Sequence, residues 1–157
     1  MGKDPDVKFV PKDPDFDARV RASFALQRVM ATLGIEISQL SPGAIELTMP
    51  YSAAYTQQHG FMHAGIVSTA LDSACGYAAY SLMPANAGIL TVEFKTSLLA
   101  PAQGQRFIFQ AHVVKPGKTL TFCEATALAQ DGDAEPRPVA SMTATLMAIY
   151  DRPGIKH

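Results

Sequence analysis

No stretch of this chain is long enough and clean enough in apolar residues to cross a bilayer, so no membrane-spanning segment is expected. Charge of one sign is also missing. The formal net charge is −1 and no basic block occurs, which argues against a nucleic-acid partner. The opening M-G-K-D-P-D-V-K-F-V-P-K-D-P-D has no signal-peptide core. Cysteine is scarce: Cys75 and Cys123 provide neither a disulfide framework nor a zinc spacing. They read as two reduced, buried thiols of a cytoplasmic protein.

What the chain does have is apolar mass. Hydrophobic residues make up 48% of the 157, enough for one domain with a real core. Pro and Asp dominate residues 1–14, which read as a flexible arm. Residues 15–150 read as a single domain, and 151–157 as a fraying tail. Phe16, Val20, Phe24, Val29 and Leu33 fall near helical spacing, so one helix is expected over 16–33, stopped by Gly34. Strands are expected at 35–40 and 44–49, joined through Ser41-Pro42-Gly43 as a hairpin. A loop over 50–62 leads into a helix that starts near His63 and ends near Pro84. After it the pattern is almost all strand: 89–99, 106–115, 119–130 and 139–150, with turns between them. In the first of these, Val92, Phe94, Thr96 and Leu98 alternate with Thr91, Glu93, Lys95 and Ser97, which places the two sets on opposite faces. Long strands joined by turns imply a mostly antiparallel meander. The fold class is therefore α+β, one long central helix wrapped by a curved sheet, whose edge and outer face call for further copies of the chain.

The helix after the loop is the organising element. It is dense in small residues, among them Ala64, Gly65, Ala70, Ala74, Gly76 and Ala78, which allow close approach from several sides. Its apolar residues keep to no single stripe, as in a helix surrounded by other structure. Asp72 is the only Asp, Glu, Lys or Arg between Glu46 and Glu93. It lies too far along to cap the helix, so a carboxylate there should be paired, protonated or in use. The helix start offers unpaired N–H groups and the positive end of the dipole, and the N–H of Ala64 or Gly65 would suit a developing oxyanion. His59 and His63 lie four apart, but Gly60 stands between them and no third ligand is near, which argues against a metal site. His63 suits a role in fixing the loop-to-helix junction by side-chain hydrogen bonds.

Gln57-Gln58-His59-Gly60-Phe61-Met62-His63-Ala64-Gly65, followed by Leu71-Asp72, resembles the H-G-G…D signature of hotdog-fold thioesterases, and most closely the PaaI-type acyl-CoA thioesterases. T-V-E-F-K…L-L-A-P-A from Thr91, V-V-K-P-G-K from Val113 and A-S-M-T-A-T-L from Ala140 extend the likeness over most of the chain. The resemblance implies a hotdog subunit, a dimer and usually a tetramer. It implies acyl-CoA hydrolysis with no metal or organic cofactor, coenzyme A entering only as part of the substrate. Asp72 matches the catalytic carboxylate, as general base or nucleophile, and Ala64 matches the oxyanion donor, where the family usually carries Gly. Gln57 stands where relatives carry an amide, and Thr91 where they carry a Ser or Thr that assists the carboxylate. Gln58, His59, His63 and Gly65 complete the expected substrate-binding set. The position one turn after the carboxylate, polar in another subgroup, is Gly76 here.

Each assignment has a plainer competitor. Gln57 would equally suit a loop amide bonding its own backbone, and Thr91 an ordinary strand residue. Lys95, Arg106, Lys115, Lys118 and Arg137 are available for coenzyme A phosphates or are plain surface charge. Tyr51, Tyr55, Phe61, Met62, Tyr77 and Tyr80 are available to wall an aromatic or medium acyl pocket, or to serve as core. An acyl-thioester dehydratase or hydratase, and a non-catalytic acyl-CoA binder, are the competing functions. Ala64 and Asp72 are separated by roughly 12 Å of helix, too far to act on one carbonyl, so the expected site is shared between two subunits.

Overall fold

Burial alternates along the apolar-polar runs at 44–50 and 120–130, which form strands, and the small-residue stretch becomes the helix that the strands enclose. A computed structural model describes residues 8–155. Its elements are α1 (Phe16–Leu26), α2 (Arg28–Leu33), β1 (Glu36–Ser41), β2 (Ala44–Pro50), a 3-10 turn (Ala53–Tyr55), α3 (Ala64–Tyr80), β3 (Ala87–Leu98), β4 (Arg106–Lys115), β5 (Leu120–Gln130) and β6 (Arg137–Tyr150). The sheet order is β1-β2-β4-β5-β6-β3, and every neighbouring pair is antiparallel.

Helix α3 packs against β2, β3, β4, β5 and β6. Ala70, Leu71, Ala74, Cys75 and Ala78 have no accessible surface. Ala111, Ala125, Ala127 and Ala144 are buried on the strands. With small side chains on both layers, the helix lies close to the sheet, which is the hotdog arrangement the resemblance implies.

The expected helix over 16–33 is two helices. Gln27 has extended backbone (φ −77°, ψ 97°) and divides them. At 100° per residue Leu33 would stand about 140° around an unbroken helix from Val20, so one straight rod could not bury both. The break lets α1 bury Val20 while α2 buries Met30 and Leu33. Gly34 ends α2 in the left-handed conformation, φ 68°.

The meander also needs correction. β4, β5 and β6 follow one another as expected, but β3 pairs with β6 at the far edge, and β4 pairs with β2. The chain between β3 and β4 carries Pro101, which has no ladder N–H to give, and is too long for a tight hairpin. It recrosses the sheet instead, with the Tyr51 N–H donating to the Gln105 carbonyl at 2.9 Å.

Order begins earlier than the composition of 1–14 suggests. The Lys12 N–H reaches the Leu82 carbonyl at 3.4 Å, and Asp13 is buried. Residues 1–7 lie outside the described part. Arg19 joins this segment to the end of α3: its Nε pairs with Asp13 Oδ2 at 2.7 Å, and its Nη2 donates to the Tyr80 and Met83 carbonyls at 3.2 and 2.7 Å. The Tyr80 carbonyl also accepts the Met83 N–H at 3.0 Å, so the guanidinium binds the turn that ends α3. The Arg19 guanidinium also lies 4.2 Å from the centre of the Tyr80 ring. Arg19→Met is expected to destabilise the protein by about 3 kcal/mol in denaturant titration, because Asp13 then stays buried without its partner.

Candidate active site

The start of α3 is pinned by its preceding loop. The Met62 N–H donates to the Ala102 carbonyl at 2.8 Å and the His63 N–H to the Tyr55 carbonyl at 2.9 Å. The loop closes through a bridge between Thr56 and Met62. His63 is the N-cap: its backbone is extended and its Nδ1 accepts the Gly65 N–H at 2.9 Å. Of the two helix-start amides, Gly65's is thus occupied. Among the described residues the Ala64 N–H has no acceptor.

Gln57 is anchored in its own loop. Its Oε1 accepts the His59 N–H, its N–H donates to the Phe61 carbonyl at 2.9 Å, and its carbonyl accepts the Gly60 N–H at 3.0 Å. Gly60 supplies the positive φ, 82°, that this tight turn requires. Gln58 and His59 are exposed on the turn, with the His59 ring 6.5 Å from that of Phe61. Among the described residues no group of three or more His, Cys, Asp or Glu could hold a metal ion.

Asp72 is half-buried, and its Oδ1 accepts the Thr91 hydroxyl at 2.7 Å. Strict alternation on β3 would set Thr91 on the face away from Thr96. A bulge decides otherwise. Thr91 pairs with Leu146 and Glu93 with Thr145, leaving Val92 as the extra residue. The bulge resets the alternation, so Thr91 and Thr96 both face α3, Thr91 meeting Asp72 and Thr96 meeting the Ser68 hydroxyl at 3.2 Å. Glu93 accepts from Thr145 on the outer face. Burial raises the Asp72 pKa above the ordinary carboxylate value, and the Thr91 hydrogen bond opposes that shift.

Beside Asp72 lies a cleft of about 470 Å³. Its walls include Asp72, Gly76 and Tyr77 of α3, Ile89 and Leu90 of β3, and Gln27 at the helix break. Gly154 and Ile155, beyond β6, also line it. Its polar wall is internally bonded: Ser73 Oγ donates to Gln27 Oε1 at 3.2 Å, and the Ser23 and Tyr77 hydroxyls lie 3.2 Å apart. Of the six side chains considered for an acyl pocket, Tyr77 alone lines this cleft. Tyr80 is wholly buried, and the Tyr55 hydroxyl donates to the Thr32 carbonyl at 2.5 Å. Gln27 and its α1 neighbours Ser23 and Leu26 were not legible as site residues, because nothing in a helical pattern marks the point where it breaks.

The helix start and the cleft are thus separate places on one subunit: Ala64, His63, Gly65, Gln57, Gln58 and His59 gather at the start, while Asp72 and Thr91 sit at the cleft. The family model described as Thioesterase superfamily matches residues 59–135, a span holding Ala64, Asp72 and Thr91 but not Gln57, Gln58 or the cleft walls at Gln27 and Ile155. A thioesterase family protein of Silicibacter pomeroyi is 63% identical, the alignment covering 86% of this chain and 98% of that one with a TM-score of 0.84. Human acyl-coenzyme A thioesterase 13 is 28% identical over 56% of this chain and 63% of its own length. The E. coli PaaI protein, from the phenylacetic acid degradation operon, is 19% identical and shares the fold with a TM-score of 0.78 over 88% of this chain and 96% of its own. With the helix-in-sheet fold and 63% identity to a member over 86% of its length, the chain belongs to the thioesterase superfamily and is a hotdog-fold thioester hydrolase.

Proposed function

We propose that the protein hydrolyses acyl-CoA thioesters, with Asp72 supplying the carboxylate and the Ala64 N–H stabilising the oxyanion. The observation that carries this is Asp72 itself: a half-buried carboxylate with a raised pKa, held by Thr91 and opening on a cleft. Asp72 either takes a proton from water that attacks the carbonyl carbon, or attacks that carbon itself. In both cases the C–S bond breaks, the thiol leaves with a proton, and the acid is released after water is consumed. Gln57, bonded to its own turn, positions the loop that presents Ala64. His63 holds the helix start, and Gly65, Gln58 and His59 line the approach.

Two copies are needed to bring donor and carboxylate together. The edge strand β3 leaves Leu90, Val92, Phe94 and Leu98 exposed, and an unpaired edge of this kind suits pairing with the same strand of a second copy. Exposed Leu120 and Phe122 on the outer face suit burial in a homotetramer.

An acyl-CoA panel, read for free thiol and for acid, tests the proposal. Thiol release unaffected by chelator is the expected result. An altered acyl chain with the thiol still blocked would mean a dehydratase or hydratase, and neither change would mean a binder. The pH profile is a second test. Activity should rise with pH as Asp72 ionises. Thr91→Val removes the hydrogen bond that lowers its pKa, so the acid limb of kcat/KM should move to higher pH in that variant.

A further inference from the structure

We propose that Gly76 sets the size of the acyl group this protein accepts, an inference that rests on the cleft beside Asp72 being the acyl site. Gly76 lies one turn beyond Asp72 on the same face of α3 and forms part of the cleft wall. After proline, glycine is the least favourable residue inside a helix. At Gly76 nothing in the subunit asks for it. Its φ is not positive, and a Cβ there would meet no atom within 4 Å beyond its chain neighbours and the nearby backbone of its own helix. Gly117 is different, since a Cβ there would lie 2.0 Å from the Leu120 carbonyl oxygen. The missing side chain at Gly76 therefore leaves open space, and that space belongs to the cleft.

The neighbouring walls at Tyr77 and Gln27 are fixed. The Tyr77 ring packs edge-on against Phe24, 5.5 Å between centres, and its hydroxyl is held by Ser23. Gln27 is held by Ser73. A thioester whose carbonyl carbon meets Asp72 lies about one helical turn, roughly 5 Å, from Gly76. The atoms three or more carbons beyond the carbonyl therefore run over it. The accepted class is acyl-CoA with bulk at those positions, a ring or a medium chain, while an acyl group of two or three carbons does not reach the gap.

Gly76→Ala and Gly76→Leu fill the space in two steps with good helix formers. The measurement is kcat/KM for phenylacetyl-CoA and octanoyl-CoA, each divided by that for propionyl-CoA, alongside the melting temperature and the assembly state. The ratio should fall about tenfold or more with Ala and further with Leu, with melting unchanged or raised. An unchanged ratio in the folded Ala variant would overturn the proposal. So would an equal loss on all three substrates, or dissociation of the assembly, which would mean a second copy fills the gap. A wild-type protein that releases thiol from no acyl-CoA would overturn the functional reading itself, and the size gate with it. A wild type active on the bulky substrates with an unaltered ratio in the variants would overturn the gate alone.

Discussion

Asp72→Asn is expected to leave the fold intact and to lower kcat by about 10²- to 10⁴-fold, the range a positioned proton-transfer group supplies. The amide keeps the shape of the side chain but neither takes a proton from water nor attacks a carbonyl. The same change should make the protein more stable at neutral pH. Burial raises the Asp72 pKa in the native state, so the native chain holds that proton more tightly than the unfolded chain does. The stability this group contributes is full below the ordinary carboxylate pKa and is lost as pH rises through the raised value. Asparagine has no such loss, so denaturation midpoints of variant and wild type should differ at pH 7 and converge at pH 3. Near-normal turnover by a folded Asp72→Asn protein would remove Asp72 from the mechanism.

Ala64→Pro should be the other severe change, and it isolates a single N–H. Ala64 is the first residue of α3, where proline fits helical backbone and removes a donor the helix itself does not use. His63 has φ −61° and ψ 136°, the conformation a residue before proline favours. The helix should therefore form as before, while loss of the oxyanion donor lowers kcat by about 10²- to 10³-fold. Mixing this variant with Asp72→Asn then tests where the two groups come from. If the Ala64 N–H works with the partner subunit's Asp72, each mixed dimer has one site with both defects and one with neither. Unfolding and refolding equal amounts together should restore about a quarter of wild-type activity if assembly is random. If both groups come from one subunit, every site keeps a defect and no activity returns. Absence of recovery with mixed dimers confirmed by mass would rule out the shared site.

Much of the molecule was legible in the chain because it is written in local chemistry. The start of α3 follows from His63, whose side chain caps the helix, and the ends of α2 and the first hairpin from Gly34 and Gly43, both at positive φ. Asp72 stood out because an isolated carboxylate in an apolar stretch has to be accounted for. Local signals failed where a long-range contact overrode them. Phe16 to Leu33 reads as one helix until Val20 and Leu33 must both reach the core. Thr91 reads as facing away from Thr96 until the bulge at Val92 turns it toward Asp72.

The sequence by itself determined the six strands, their enclosing of one small-residue helix, and the positions of Asp72 and of the helix start, since propensity, capping and hydrophobic period act within a few residues. Only the tertiary structure decided that β3 leaves the meander for the edge beside β6, and that Gln27 and Tyr77 meet across a cleft. It also decided that His63 takes the Gly65 N–H and leaves Ala64's unoccupied among the described residues. Strand order and pocket walls join residues far apart in the chain, and their pairing is set by which apolar faces can be buried together, a quantity that no local window contains.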